Sequence, residues 1–211
     1  MFSNLSGSEL VFFLISLIIG MAVHEAMHGY VAHWLGDTTA KDAGRLTLNP
    51  LKHIDLFTTL LLPTVLILVG LPPLLVAKPV PFDPQRLRYD EFGMALVGLA
   101  GPLTNLVLAG LAAVAFRLWG GQISQLGYDA VVIFVEVNVG LFIFNMIPIP
   151  PLDGSRLLYA FAPEPLQEVM QRIESYGFLA ILALVLILFN FISGPISTLE
   201  LKIVQFLLGG G

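Results

Sequence analysis

Residues 21–30 read MAVHEAMHGY, within an apolar run from residue 10 to about residue 32. The stretch contains His-Glu-x-x-His. On a helix, residues four apart lie on one face, so His24 and His28 can bind one metal ion together. Glu25 can then reach a metal-bound water as a general base. Because ionisable residues at membrane depth are costly, a functional site is the default hypothesis for these three residues.

The composition predicts an integral membrane protein. Hydrophobic residues make up 56% of the 211 residues and charged residues 12%, about half the charged fraction of a soluble domain. The mean hydropathy is +0.86. The net charge of −5 provides no basic surface for nucleic acid, and without cysteine any metal must be bound by imidazole and carboxylate. We expect a multi-pass protein in the lipid bilayer of a prokaryotic cell membrane.

The apolar runs predict an all-α fold of about five to six transmembrane helices in a single domain over residues 1–211. Residues 56–75, interrupted by prolines, can span with a kink or dip in and return. Residues 163–174 are interpreted as a polar linker and residues 195–208 as an interfacial segment. Spans are expected at residues 9–33, 92–118, 128–147 and 176–192, with a short helix ending at Ala162. If every long run spans, lysines and arginines divide five and five between the two faces, so the positive-inside rule does not decide the orientation.

Residues 77–84 alternate prolines with other residues and cannot form a helix. They are typical of an extended or re-entrant segment near the membrane interface. Such a segment can present free carbonyls and N–H groups, including that of Val80, for strand-like pairing with an unwound substrate.

Asp153 is the best candidate for a third metal ligand. A catalytic zinc usually has three protein ligands and one open position. Of the two remaining histidines, His33 lies off the face of His28, and His53 lies in a polar loop. Asp153 follows a proline-broken run, and irregular backbone at membrane depth survives only where protein buries it or water lines it. Asp153 can alternatively cap the helix that begins at Gly154.

Two further stretches support a family resemblance. Residues 145–154 read NMIPIPPLDG and residues 101–105 read GPLTN. Together with His-Glu-x-x-His, these motifs resemble the site-2 proteases (peptidase family M50), intramembrane zinc metalloproteases with Asn-x-x-Pro-x-x-x-x-Asp-Gly in a later span. The resemblance covers roughly residues 10–160, ahead of the C-terminal helices expected over residues 176–208. We expect a short form of the family, without the PDZ or CBS domains that some members carry.

The resemblance implies a role for each motif residue. His24, His28 and Asp153 would bind one Zn²⁺ per chain, Glu25 would be the catalytic base, and Asn145 would position substrate or stabilise the oxyanion. Asn145 can alternatively be a helix-end amide. Asn105 and Asn138 are interpreted as packing amides that can also line a water path, and Glu136 is given no role.

The function expected from the resemblance is an intramembrane zinc endopeptidase that hydrolyses peptide bonds within or near transmembrane segments of membrane proteins, in regulated intramembrane proteolysis. One alternative is a divalent metal-ion transporter, since some transporters also carry His-Glu-x-x-His on a spanning helix. Another is a non-catalytic homologue that binds membrane proteins, against which the intact Glu25 argues. The sequence names neither the substrate nor the oligomeric state.

Overall fold

Every regular element that the structure describes is helical. The computed structural model describes residues 6–55 and 77–209, apart from the side chains of residues 178, 181 and 184–193. The helices are α1 (Gly7–Trp34), α2 (Thr39–Asp42), α3 (Asp90–Trp119), α4 (Gln125–Asn145), α5 (Gly154–Phe161), α6 (Glu164–Ser175) and α7 (Phe178–Leu208). Within the described ranges, α1, α3 and α4 are long and apolar enough to cross a membrane. The prediction of an all-α membrane protein is confirmed. The number of spans stays a prediction, and the predicted segment at residues 56–75 lies outside the described residues.

Helix α1 begins at a capping box and ends before a glycine. The Ser6 hydroxyl accepts a hydrogen bond from Glu9 N–H, and the Glu9 carboxylate accepts one from Ser6 N–H. Beyond Trp34, Gly36 has φ +109°, a conformation that stops the helix and favours glycine. The buried residues of α1 are mostly small, which lets other helices approach closely. They are Ser16, Leu17, Gly20, Ala22, His24, Ala26, His28, Gly29 and Ala32.

Helices α1, α3 and α4 pack against one another around small and polar residues. A methyl group built on Gly20 of α1 would lie 2.9 Å from Leu141 Cδ1 of α4, so glycine permits this helix contact. A separate apolar cluster joins α3 and α4 to α7. Its buried members are Ala109, Ala113, Val135, Val139, Ile143 and Val204.

Hydrogen bonds join the loop that follows α1 to the loop that precedes α3 at one end of the bundle, here called the site end. Backbone hydrogen bonds join Arg88 N–H to Leu35 O and Lys78 N–H to His53 O, each at 2.9 Å. The Arg45 guanidinium donates to Lys78 O at 2.9 Å. Residues 77–83 have no regular secondary structure, as their prolines require.

Two predictions about the C-terminal part were wrong. Residues 163–174 are not a linker, because α6 runs from Glu164 to Ser175 with its apolar face turned inward at Met170, which is 4% exposed. Residues 176–208 do not form a span followed by a separate interfacial segment, because α7 continues through Pro195. A proline inside a helix removes one backbone donor, and in membrane helices neighbouring helices or Ser and Thr side chains satisfy the freed backbone groups.

Glu136 has an acidic neighbour that the sequence does not reveal. It lies on α4 one turn before Gly140, and a methyl group built on Gly140 would lie 3.3 Å from Glu200 Oε1 of α7. Residues four apart share a helix face, so Glu136 and Glu200 lie at the same α4–α7 contact.

Asp37 anchors the site end. Its side chain is fully buried and accepts hydrogen bonds from Thr39 N–H and Thr39 Oγ1 on one oxygen and from Asp83 N–H, at 2.8 Å, on the other. Burial by itself would raise the pKa of Asp37. The hydrogen bonds from Thr39 and Asp83, together with the nearby Arg86 guanidinium, outweigh burial and hold the pKa below its usual range.

We predict that Asp37→Asn destabilises the protein by about 1–3 kcal/mol, since the amide nitrogen leaves a buried donor unpaired. The matched control is Asp42→Asn. The exposed carboxylate of Asp42 accepts a hydrogen bond from Thr38 Oγ1, and its replacement should lower the stability by less than about 0.5 kcal/mol. Denaturant unfolding in detergent micelles measures both variants. Equal stability of the two variants would contradict the anchoring role.

The same carboxylate gives a pH dependence with a defined sign. Because the pKa of Asp37 is lower in the folded state, its stabilisation is fully present above the unfolded pKa of about 3.9 and is lost as pH falls through the folded value. The stability difference between wild type and Asp37→Asn should therefore be constant above about pH 5 and shrink below about pH 4.

Candidate metal and catalytic site

Both motif histidines point their Nε2 atoms at one carboxylate oxygen. His24 Nε2 lies 3.0 Å and His28 Nε2 lies 3.3 Å from Asp153 Oδ2. One ligand atom from each of the three side chains lies within 4.8 Å of the others. The histidines are 6% and 8% exposed. Within the described part of the chain, His24, His28 and Asp153 form a group whose ligand atoms can bind one metal ion together.

Asp153 does not cap the helix that follows it. It occupies the N-cap position of α5, yet its side chain makes no capping hydrogen bond and is turned towards the histidines instead. The loop behind it is tight, since a methyl group on Gly154 would lie 2.5 Å from the Met146 carbonyl carbon. The proline-broken turn after α4 thus brings Asp153 to α1.

A backbone carbonyl of α3 orients His28. His28 Nδ1 lies 2.6 Å from Val97 O. A carbonyl can only accept, so Nδ1 carries a proton and donates it to Val97 O, and Nε2 is the nitrogen that faces Asp153. This is the usual arrangement of a metal-ligating histidine, whose other nitrogen donates to a carbonyl or carboxylate.

A buried amide chain orients His24 in the same way. Asn105 Nδ2 donates to Gly20 O at 3.1 Å and to Asn138 Oδ1 at 2.9 Å, and Asn138 Nδ2 donates to Phe134 O at 2.9 Å. Because both backbone carbonyls can only accept, the two amides have one consistent orientation. Asn105 Oδ1 therefore accepts the proton of His24 Nδ1, at 2.6 Å, and Nε2 is the nitrogen directed towards Asp153.

Asn105 and Asn138 thus do more than pack. Both are fully buried, and both belong to the bonding chain behind His24. The signal in the sequence was the GPLTN stretch, which contains Asn105, but its contact with α1 depends on how α1 and α3 pack.

The residues present fit a zinc ion. Two imidazole nitrogens and one carboxylate oxygen are suitable zinc donors and leave a fourth position open. Space for an ion depends on Gly101 of α3, since a methyl group there would lie 2.6 Å from His24 Nε2 and closer still to His28 Nε2. A helix without a side chain at this point leaves the histidine nitrogens accessible.

Glu25 is held by the extended segment. Val80 N–H donates to Glu25 Oε2 at 2.9 Å. The expectation that Val80 N–H is free to pair with substrate is therefore wrong for this structure. Residues 77–83 turn that N–H towards α1, where the carboxylate of Glu25 takes it.

A cavity of about 500 Å³, here called the catalytic cavity, opens beside these groups. Asn145 lines it, and its Nδ2 donates to Leu141 O at 2.9 Å, so one of its two amide hydrogens is engaged within α4. His33 and His53 are not part of the metal group, and His53 is buried at 3% exposed. Besides Asn145 and the motif residues, the wall includes Met21, Asp55, Lys78, Phe82, Phe144, Leu152, Arg156 and Glu174.

Comparisons with known proteins show which family the chain resembles. The family model described as peptidase family M50 matches residues 116–189. "Putative zinc metalloprotease YwhC" of Bacillus subtilis is 36% identical over 184 residues, which are 84% of this chain and 81% of that protein. The similarly named Rip2 of Mycolicibacterium smegmatis is 28% identical over 172 residues, 80% of this chain and 64% of Rip2. A relative of the same description from Methanocaldococcus jannaschii is 30% identical over 153 residues, 71% of this chain and 72% of that protein.

No solved structure matches the chain at a significant level. The identity and coverage of the relatives establish the class of protein, a zinc metalloprotease. The chain belongs to peptidase family M50, the site-2 protease family.

We predict that Gly101→Ala abolishes high-affinity zinc binding, because the added methyl group occupies the space in front of the histidine nitrogens. Gly110→Ala is the matched control on the same helix, since a methyl group there meets nothing within 4 Å and should leave zinc binding unchanged. Metal analysis of both purified variants measures the effect. Full zinc occupancy in Gly101→Ala would exclude the position assigned to the ion.

Asn105→Leu should weaken zinc binding by about 10–100-fold, the usual effect of removing the hydrogen-bond partner of a metal-ligating histidine. In the zinc-free chain, nitrogen NMR of labelled histidine should also show a smaller fraction of the Nδ1-protonated tautomer of His24. Asn138→Leu is the control, since it disturbs the same buried chain but leaves the Asn105–His24 contact in place. Equal losses in both variants would reduce Asn105 to a packing role.

Proposed function

We propose that this zinc metalloprotease cuts transmembrane segments of membrane proteins, within or near the bilayer, in regulated intramembrane proteolysis. The observation that carries the proposal is the position of the site. His24, Glu25 and His28 lie on α1, a helix long and apolar enough to cross a membrane, and they face a cavity. A site on a spanning helix is reached most directly by peptide bonds within the membrane or at its interface.

Three side chains are proposed to hold one zinc ion: His24, His28 and Asp153. When bound, zinc lowers the pKa of coordinated water to about 7 and polarises a carbonyl. Glu25 accepts the proton of the attacking water and returns it to the leaving amine. The Val80 N–H bond fixes one oxygen of Glu25, so the carboxylate is already oriented before substrate arrives.

Asn145 is proposed to assist at the substrate carbonyl. It lines the catalytic cavity, and its amide nitrogen has a second hydrogen besides the one donated to Leu141 O. A donor that stabilises an oxyanion contributes about 3 kcal/mol to catalysis.

The rival functions have less support. A metal transporter needs ligands along a path, whereas the described residues contain one compact group of three. A non-catalytic binder has no need for an oriented Glu25. The relatives are named as metalloproteases, and none of those names mentions transport.

Glu25→Gln should bind zinc normally and cleave nothing. The glutamine oxygen can still accept the Val80 N–H, so the variant removes the proton acceptor and keeps the contact. The experiment uses the purified zinc-loaded chain in proteoliposomes with a single-span substrate, and mass spectrometry locates the bond that is cut. Near-normal cleavage by Glu25→Gln would refute the mechanism.

The same assay tests whether cleavage occurs in a membrane helix. A spanning helix bonds its own backbone groups, so hydrolysis requires local unwinding. Glycine or asparagine near the scissile bond should raise the rate, and an uninterrupted Leu/Ala run should lower it. Equal rates, or cuts confined to soluble loops, would contradict the intramembrane part of the proposal.

The site end is proposed to face the cytoplasm. The hydrogen bonds from Lys78 to His53 and from Arg88 to Leu35 bring the residues before and after 56–76 to the same end of the bundle. The connection from α4 to α7 lies at this end too, since its Asp153 contacts His24. In this arrangement the site end carries eight of the ten lysines and arginines, whereas the five-and-five division applies if every long apolar run spans. The eight are Lys41, Arg45, Lys52, Lys78, Arg86, Arg88, Arg156 and Arg172. Arg117 and Lys202 belong to the opposite end, where Arg117 donates to Phe206 O. Lysine and arginine concentrate in cytoplasmic loops.

Single cysteines introduced into this cysteine-free chain test the orientation. We expect Thr47→Cys, at the site end, to be shielded from an impermeant thiol reagent in intact cells, and Gly121→Cys, between α3 and α4, to be labelled. Both should react after the cells are opened. The reverse labelling pattern would invert the proposed orientation.

A further inference from the structure

A second cavity, here called the outer cavity, lies beside the catalytic cavity and shares part of its wall. Its volume is about 500 Å³, within the range of pockets that bind small molecules or side chains. Phe82, Arg156 and Glu174 line both cavities. The remaining wall of the outer cavity is largely apolar and includes Pro84, Met94, Pro150, Tyr159 and Met170.

The shared wall is built from three separate elements. Arg156 lies in the first turn of α5, three residues after Asp153, and its Nη2 lies 3.2 Å from Glu174 Oε1 of α6. The guanidinium carbon lies 4.7 Å from the centre of the Phe82 ring, a cation–π contact. Gly98 of α3 makes room for this side chain, since a methyl group there would lie 2.8 Å from Arg156 Cδ.

The wall has the chemistry to bind polypeptide backbone. An unwound peptide group has one donor and one acceptor, and both need partners. The ion pair offers both kinds of group, because a guanidinium carries five N–H donors and a carboxylate has two acceptor oxygens. The Arg156 side chain is 20% exposed and that of Glu174 is 38% exposed, so both remain accessible. The wall is less suited to a charged substrate side chain, because the charges of Arg156 and Glu174 cancel each other.

The interior of the outer cavity suits a large apolar side chain. Met94 and Met170 contribute unbranched thioether side chains that adapt to different shapes, and Phe82 adds an aromatic surface. Substrate backbone bound at the wall would direct one side chain into this space while the scissile bond stays beside Glu25.

We propose that the outer cavity receives one large apolar side chain of the substrate, from a residue flanking the scissile bond, while Arg156 and Glu174 bind the backbone between the two cavities. This inference rests on the proposed endopeptidase function. It assigns a specificity pocket to α5, α6 and residues 82–84, outside the motifs that define the family.

The test is a change of substrate preference. The zinc-loaded wild-type chain cuts a set of single-span substrates in which each residue within about five positions of the scissile bond is changed in turn to Ala, Leu or Phe. We expect one position to prefer Leu or Phe over Ala by about tenfold or more in kcat/KM, the usual value of a filled apolar pocket. Met170→Trp fills the pocket and should reverse the preference at that position alone.

Val169→Trp is the matched control. Val169 is the neighbouring residue on α6, is 52% exposed, and does not line the outer cavity. It should leave the whole preference profile unchanged. An unchanged profile in Met170→Trp, or an equal loss on every substrate, would overturn the pocket.

The polar wall is tested by two double variants. Arg156→Gln with Glu174→Gln keeps donors and acceptors without charge and should keep KM within a few-fold of wild type. Arg156→Leu with Glu174→Leu removes them and should raise KM at least tenfold at unchanged zinc content. Equal KM in the two double variants would exclude backbone binding by the wall.

Binding without cleavage separates this inference from the proposed function. A photo-crosslinker at position 170 of the Glu25→Gln variant should capture the substrate next to the scissile bond. Capture of lipid alone would assign the cavity to lipid and overturn the inference, even if cleavage is confirmed. Substrate capture without any cleavage by the Glu25-containing chain would retain the pocket and reject the protease function.

Discussion

The meeting of two imidazoles at one carboxylate is the constraint on which the rest of the structure depends. His24 and His28 direct their Nε2 atoms to Asp153 Oδ2 within 3.3 Å, in surroundings where an unpaired polar group is costly. Each remaining polar atom therefore needs its own partner. Asn105 and the Val97 carbonyl supply those partners from α3, and the turn after α4 supplies the carboxylate. The contacts of these two histidines therefore fix α1, α3 and the end of α4 relative to one another.

Small residues make this arrangement possible. Gly101 leaves space in front of the histidine nitrogens, Gly98 accommodates Arg156, and Gly20 lets α1 approach α4. Membrane helices associate through close packing and interhelical hydrogen bonds, because lipid provides no hydrophobic driving force between them. The glycines at the site serve both purposes, since they allow α1 and α3 to approach until a buried amide on one can bond a histidine on the other.

The features that depend on local sequence were predictable. The apolar runs predicted α1, α3 and α4, and the spacing of four placed His24 and His28 on one face of α1. Helix α6 was misread as a linker because its charged residues stood out, although Leu166, Met170 and Ile173 follow the spacing of a helix with one apolar face. The signal was present but weak over twelve residues.

The features that depend on packing between distant residues were not predictable. The Asn105–His24 contact joins residues 81 positions apart and the Val80–Glu25 contact joins residues 55 positions apart. Periodicity along one helix carries no information about the register between two helices. The proposed concentration of positive charge at the site end depends on a contact of the same kind, the hydrogen bond from Lys78 N–H to His53 O.

Most backbone N–H groups of residues 78–83 are already bonded within the protein and are not available to a substrate. Two of the six are prolines without an N–H group, and Lys78, Val80 and Asp83 donate theirs to His53, Glu25 and Asp37. Phe82 has the one N–H in this stretch that is not committed to a described residue. The segment can therefore offer a bound polypeptide mainly carbonyls, which accept but do not donate. Donors for the substrate carbonyls must come from elsewhere in the cavity wall, where Asn145 and Arg156 have them.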